Sequence, residues 1–599
     1  MLRIPKSILA SLLTLFSSKP TSKKTTEKSK YTYGFAHWLF GRGLGLVCFF
    51  AFISYWIQAD ALIGPSGINA WENDLDFIEN LPAVQEQIAN KWILRPTLLW
   101  LPLLSNHDLL FAIGTLSAGL LTIGFIPALS ALVAYITYLS LMVVGGPFLS
   151  FQWDILLLET LLISLPFLPI SRIHKLSDSQ VAPIIGRFLL ITLLAKLMLE
   201  SGLVKFTFFD GDGSNTWREL TALNFHYWTQ PLPHTLSPWI HTLPDWFDQL
   251  SLFLMYLTEL VLPFFLFLPG NWRRIGVIGQ IILQVVILLS GNYGFFNLLT
   301  LCLCIPLIDD QLLPSSLFKT KNQYKKRNAI FTPTLRTGIA CIFAFVMIAT
   351  TFAHLIKDIQ GNQTSSNKSL VVPEWIQSLQ AKVRPFHCFN SYGLFRVMTT
   401  TRPEIIIEAS RDGTSWQTYE FKWKPSHKNQ SLGFTGPHMP RIDWQMWFEG
   451  LNFENYAQHP FPRFLYGRFL QIMVRGHSDS VFSNLREVLG VREFQALQQS
   501  PPAVQNQVIA NYNHLIQSFR SRSKWFSLFL KALAEGKQNV LKQLSPTNPI
   551  DYKPSYLRVS LSHFKFSEAE DMQWEISMIP GATYTLTLDI QKEATQEKP

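Results

Sequence analysis

Apolar runs alternate with short polar connections through the first 357 residues, and the pattern then changes. A membrane-spanning helix needs about 20 mostly apolar residues. That test predicts about nine spans, near 35–57, 109–126, 128–146, 152–170, 184–204, 250–269, 274–290, 293–308 and 336–356. Residues 92–104, WILRPTLLWLPLL, are too short to cross and read as a re-entrant or interfacial segment. After Lys357 a polar linker, DIQGNQTSSNKS, leads to EIIIEASRDGTSWQTYEFKW (404–423), two strands about a turn at Asp412–Gly413. YLRVSLSHFKFS and ATYTLTLDI read as further strands. Between them, residues 463–545 show apolar spacing near 3.6, interrupted by SPPAV at 500–504. The expected organisation is a basic tail (1–30), an α-helical polytopic membrane domain (31–357) with an outer loop at 205–249, and a soluble, mainly β-sandwich-like domain with a helical insertion (358–599).

Composition supports a bilayer as the main partner. Hydrophobic residues make up 48% and charged residues 15%, with a mean hydropathy of +0.16, which is too apolar for an ordinary soluble protein of this size. The 18 Trp and 46 Phe fit a lipid-facing surface with interfacial anchors. The net charge of +10 does not indicate nucleic acid, because the basic excess sits in short segments beside apolar runs, where it sets topology. Arg172 and Lys175, then Arg273 and Arg274, then Lys319, Lys321, Lys325, Lys326 and Arg327 mark inner connections, on the side of the basic N-terminal tail. The acidic connection 58–108 marks the outer side. This registration places the N-terminus in the cytoplasm, and the loop 205–249 and everything after 357 outside. Ile8–Phe16 is apolar but short, and no cleavage site follows it cleanly, so a cytoplasmic tail is preferred over a signal peptide.

The ionisable residues within the expected spans are Arg42, Asp154, Glu159, Lys196, Glu200 and Glu259. Lys196 and Glu200 are four apart and share a helix face, and Asp154 or Glu159 can reach Lys196 from the preceding helix. Such groups form either a buried acid–base site or a polar network tying helices together, and no spacing here specifies a chemistry. His226, His234 and His241 match no metal motif, and the five cysteines contain no CxxC, so neither a metal nor a disulfide framework is expected. There is no G-x-S-x-G elbow and no G-x-G-x-x-G after a strand, so no cofactor is expected.

Several blocks carry a family resemblance. LVKFTFFDGDGSNTWRELTALNFHYWTQPLP (203–233), WFDQLSLFLMYLTELVLPFFLFLP (246–269) and LLSGNYGFFNLLT (288–300) are similar to the lipase maturation factor family. FNSYGLF (389–395) resembles its N-x-Y-G-x-F element, which holds Asn390 and Tyr392 here. WQTYEFKWKP (416–425), GPHMPRIDWQMWF (436–448) and NPIDYKPSYLRVSLSHFKFS (548–567) resemble further elements in the same order. Three positions depart from the family pattern: Trp228 stands where an acid is usual, FFDGDGSN replaces a compact turn, and Ile550 replaces Phe.

The resemblance implies a polytopic membrane protein that helps secreted lipases fold and assemble in the endoplasmic reticulum, with a membrane half similar to vitamin K-dependent γ-carboxylase. The chain ends QKEATQEKP without a retention signal, which favours a bacterial inner membrane over the endoplasmic reticulum. As a maturation factor it would bind a secreted lipase or another exported client through Arg441, Asp443, Trp444 and Trp447, with Asn390 and Tyr392 as further candidates. Core packing and a buried Arg441–Asp443 pair are the competing reading. As a membrane enzyme it would use Lys196, Glu159 or His226 on a lipid or quinone-like substrate. A transporter ranks last, because no inverted repeat is visible. The block 217–233 reads as an irregular platform at the membrane surface, pinned by its prolines. Trp217, Tyr227 and Trp228 would sit near the headgroups, and Arg218, His226 and Gln230 would bond the outer domain or line a cavity.

Overall fold

The computed structural model describes residues 33–176, 183–310, 333–362, 371–457, 491–569 and 572–588, with isolated positions between 466 and 474. The basic tail, the lysine-rich connection 319–327 and much of the polar linker lie outside them. The first part is a helical bundle. Among the described residues, five helices are long and apolar enough to cross a membrane: Gly34–Leu62, Pro127–Val144, Asp245–Phe265, Asn271–Ser290 and Leu335–Gln360. This corrects the expected nine.

The other four runs fail for visible reasons. His107–Ile123 stops at Gly124, whose φ of +79° caps the helix in the left-handed conformation. Gln152–Ser164 has only 13 residues, nearly all buried, so its uniform apolarity marks a core helix rather than a lipid-facing one. Phe296–Cys304 is also short and mostly buried. Ile184–Thr207 has the length but carries Arg187, Lys196, Glu200 and Lys205. The lipid-compatible surface lies instead on Asn271–Ser290 and Leu335–Gln360, which expose Ile278, Ile282, Val286, Ile342, Ile348 and Phe352.

The C-terminal part contains one four-stranded antiparallel sheet, ordered β2-β1-β3-β4, with β1 Pro403–Ser410, β2 Gln417–Thr418, β3 Tyr556–Phe566 and β4 Trp574–Thr587. The β1–β2 hairpin turns at Asp412, whose Oδ1 accepts the Thr414 and Ser415 amides. Among the described residues there is no second sheet, which corrects the β-sandwich expectation. Helices supply the other layer. Arg441–Ala457 lies against β1 so closely that a Cβ on Gly450 would sit 2.3 Å from the Pro403 carbonyl oxygen. Alternation along the strands turns Ile405, Ile407 and Ala409 inward, paired in register with Leu561, Val559 and Leu557. The long helix Pro502–Glu535 adds Trp525, Phe526, Phe529 and Leu530 to the buried side. One hydrophobic cluster runs from Phe40 in the bundle to Leu586 in the sheet, so the two parts share a core.

Candidate functional site

Several of the polar residues singled out by sequence meet at the seam between the bundle and the C-terminal part, where they form three nodes; Arg42 instead bonds carbonyls within the bundle. The first joins Arg441, at the start of its helix, to Asp154, in the first turn of Gln152–Ser164. Arg441 Nη1 donates to Asp154 Oδ2 at 2.6 Å and Nη2 to Oδ1 at 2.8 Å, a bidentate pair with both side chains fully buried. Nη1 also donates to the Phe148 carbonyl, and the Tyr138 hydroxyl donates to Asp154 Oδ1 at 2.6 Å. The Arg441 amide is held by Gln58 Oε1, and the Met439 amide by Ser54 Oγ, both on Gly34–Leu62. Burial opposes the guanidinium charge, but the charge and hydrogen bonds of Asp154 outweigh it and raise the arginine pKa above its usual value. The expected Arg441–Asp443 pair does not form. Asp443 Oδ1 instead accepts the amides of Trp423 and Lys424.

The second node is built on Glu159. Lys196 Nζ donates to its Oε1 at 3.1 Å. Its Oε2 accepts the Asn390 amide at 2.9 Å, Asn390 Nδ2 at 3.1 Å and the Tyr392 hydroxyl at 2.7 Å. Of its possible carboxylate partners, Lys196 takes Glu159 of the preceding helix and not Glu200 on its own face. Glu200 accepts the Tyr392 amide at 2.7 Å, and its other oxygen lies 3.8 Å from His354 Nδ1. The N-x-Y-G-x-F element is therefore a clasp on two buried carboxylates. Its glycine is required by close approach, because a Cβ on Gly393 would meet Val204 Cγ2 at 2.9 Å.

The third node holds the 217–233 block. Residues Leu223–Thr229 form a short helix, contrary to the expected irregular path, because Pro231 and Pro233 act only beyond Gln230. The freed carbonyls of Trp228, Gln230 and Pro231 are gathered by the buried guanidinium of Arg402, which also pairs with Glu404 at 2.7 Å. Trp447 Nε1 donates to the Thr229 carbonyl at 2.8 Å. Gln230 is fully buried, donating to the Ser290 carbonyl and accepting from the Tyr293 hydroxyl, which also contacts His226 Nε2 at 3.0 Å. Burial first, and the Lys205 charge second, lower the His226 pKa to about 4 and keep it neutral.

The remaining platform residues are mostly interior. Trp217 and Tyr227 are buried, with Tyr227 donating to Asp248, while Arg218 is exposed and lies over Phe206 and Phe209. Trp228, at the position where an acid is usual, packs with Phe564, Phe566 and Trp574 of β3 and β4. Trp444 is buried against Trp153.

Two consequences follow for the candidate roles. Tyr392, Arg441, Asp443, Trp444 and Trp447 are inside the seam, so they are not exposed anchors for a client. Lys196 and Glu159 neutralise each other, while His226 bonds a separate set of partners, so the three do not form one acid–base centre. Sequence reading missed Arg402, His354 and Lys205, whose Nζ pairs with Glu259 at 2.8 Å. Arg402 stands in a polar run with no periodicity to mark it, and Lys205 reads as an ordinary basic residue at a helix end. His226, His234 and His241 do not cluster. Among the described residues, Asp60, His107 and Asp108 do bring ligand-type atoms within 4.8 Å of one another, with both acids exposed.

Residues 35–315 match the family described as "Lipase maturation factor transmembrane domain", and residues 388–481 match "Lipase maturation factor C-terminal domain". Lipase maturation factor 2 of Rattus norvegicus is 31% identical over 519 residues, covering 69% of this chain and 72% of its own length. Lipase maturation factor 2 of Xenopus laevis is 29% identical, covering 72% of each chain. Lipase maturation factor 1 of Mus musculus is 28% identical over 455 residues, covering 72% of this chain and 75% of its own length. No solved structure matches the chain. The two matched regions include Asp154 and Arg441, Glu159 and Asn390, and Thr229 and Arg402, and the chain is a membrane protein that belongs to the lipase maturation factor family.

Proposed function

We propose that this chain is a membrane-bound maturation factor that assists the folding or assembly of a secreted client, with lipases as the client class. The relatives named above are called lipase maturation factors, and both of their characteristic regions match here. The observation that carries the reading is the seam. The family-like elements around Asn390, Arg441 and Thr229–Pro231 are spent on fixing the C-terminal part to the bundle, through buried charges that join residues 174 to 287 positions apart. Such a frame holds a client-facing surface rigidly at the membrane. Client contacts then belong to exposed residues of the C-terminal part rather than to the buried set Arg441, Asp443, Trp444 and Trp447.

We place the protein in the endoplasmic reticulum membrane, with the C-terminal part on the lumenal side. The relatives are vertebrate proteins, which gives no support to the bacterial inner membrane expected from the sequence. The test is complementation. Cells lacking an endogenous lipase maturation factor, and secreting an inactive lipase as a result, are given this chain. The specific activity of the secreted lipase is measured beside an unrelated secreted hydrolase. Recovery confined to the lipase supports the reading. Lipase activity at the vector level, with the chain expressed and membrane-inserted, refutes it.

A further inference from the structure

Residues 371–398 pack along the side of the bundle. Thr207 Oγ1 donates to the Asp358 carbonyl, so Ile184–Thr207 and Leu335–Gln360 end at the same level. From that end, residues 372–389 descend. Val372 and Ile376 pack on Ala353 and Ile356, and Gln380 Nε2 donates to the Thr350 carbonyl at 3.4 Å. Trp375 stacks on Phe345 with ring centroids 6.0 Å apart, and Phe389 meets Phe343 at 6.4 Å. At the lowest point the Phe386 carbonyl accepts from the Tyr135 hydroxyl at 2.7 Å, and Asn390 reaches Glu159. Tyr135 and Glu159 lie near the middles of Pro127–Val144 and Gln152–Ser164.

The chain then climbs along Ile184–Thr207. Tyr392 bonds Glu200, Gly393 touches Val204, Arg396 lies over Phe208, and Met398 packs with Trp217. His387 and Phe395 adopt φ of +47° and +53°, left-handed conformations that allow the reversal. Phe345 is 356 − 345 = 11 residues inside the apolar run 336–356, or about 16 Å at 1.5 Å per residue. That exceeds the ~15 Å half-thickness of a bilayer core.

Two observations conflict with hydrocarbon around this segment. The outward side of the Glu374–Val383 helix carries exposed Glu374, Gln377, Ser378 and Lys382. Charged and amide groups are strongly disfavoured in lipid, and non-spanning backbone at membrane depth persists only where protein or water surrounds it. Beside the ascending limb, Glu200 Oε1, His354 Nδ1 and Asp358 Oδ2 are buried with no hydrogen-bond partner from the protein. Buried polar atoms of this kind are ordinarily satisfied by water. We propose that residues 371–398 form a re-entrant segment that opens a water-filled crevice in the side of the bundle, reaching mid-membrane depth, with Glu374, Gln377, Ser378 and Lys382 facing the water. This inference rests on the chain spanning a membrane and not on the identity of its client.

The test is cysteine accessibility of the full chain in sealed membranes, in a Cys341→Ser background, since the other four cysteines are buried. A membrane-impermeant maleimide is applied to Ser378→Cys and Lys382→Cys. Ser415→Cys, on the exposed hairpin turn, serves as the water control, and Ile348→Cys and Phe352→Cys as lipid controls. Ser378→Cys and Lys382→Cys are expected to label from the same side as Ser415→Cys and within about tenfold of its rate, while the lipid controls stay unlabelled. Rates at both sites as slow as Ile348→Cys would overturn the proposal. Nitroxides at 378 and 382 give a second readout. Stronger collision with a water-soluble nickel chelate than with oxygen supports the crevice, and the reverse order removes it.

Discussion

The Asp154 and Glu159 nodes lie on one short helix yet are finished differently. Asp154 is closed: both of its oxygens meet Arg441, Tyr138 adds a third bond, and the guanidinium also donates to the Phe148 carbonyl, with only its Nε left without a partner. The Glu159 node is equally buried but open at one end, because its neighbours Glu200 and His354 face each other at 3.8 Å through atoms that make no hydrogen bond. A closed node of opposite charges acts as a fixed joint, since removing one partner strands the other in a medium of low dielectric. An open node beside a polar re-entrant segment tolerates change, because water can take the place of a lost partner. The comparison separates what holds the two parts together from what stays adjustable between them.

The largest effect that follows is on the closed node. Arg441→Ala leaves Asp154 buried and unpaired, and is expected to destabilise the protein by about 3–5 kcal/mol. Unfolding in mixed micelles checks this, and a loss below about 1 kcal/mol would make the joint dispensable. At the open node, Glu159→Gln keeps the shape but removes the charge facing Lys196, and is expected to destabilise by about 1–3 kcal/mol, less than Arg441→Ala in the same assay. Gly393→Ala forces a methyl against Val204, with an expected loss of about 1–3 kcal/mol by overpacking. A paired Val204→Ala change relieves the contact and should recover part of that loss.

The effect confined to the narrowest range of conditions is a pH dependence. His226 has a pKa lowered to about 4 in the folded protein, against about 6.5 unfolded. The unfolded chain therefore binds the extra proton first, and this contribution to stability is present above pH 6.5 and lost as pH falls toward 4. His226→Asn should flatten the stability profile in that window alone, and an unchanged slope would show that burial beside Lys205 does not hold the ring neutral.

Much of this architecture was legible in the sequence. The apolar runs named the bundle, and the strands on either side of Asp412–Gly413 and around Leu557–Phe566 fell where expected. The ordered blocks from Leu203 to Ser567 marked the family. Three things were not legible, each for a physical reason. Apolarity alone does not tell a helix buried in protein from one facing lipid, so Gln152–Ser164 read as a span. An amphipathic run such as Glu374–Val383 looks the same on a soluble surface and beside a bundle, so the return of the chain along Leu335–Gln360 left no mark. Pairing at a distance was also hidden. Arg441 had Asp443 two residues away, and only the fold brings it to Asp154 instead. The aromatic and arginine anchors were recognised as interface residues, but the interface they serve is internal.

The central claim is that the bundle and the C-terminal part form one unit joined through Asp154 and Arg441. A double-mutant cycle on full-length protein, comparing Asp154→Ala, Arg441→Ala and the double variant by unfolding in mixed micelles, tests it most directly. The predicted result is a coupling of about 2 kcal/mol or more, with the double variant more stable than the sum of the single losses implies. Losses that add to within about 0.5 kcal/mol would contradict it.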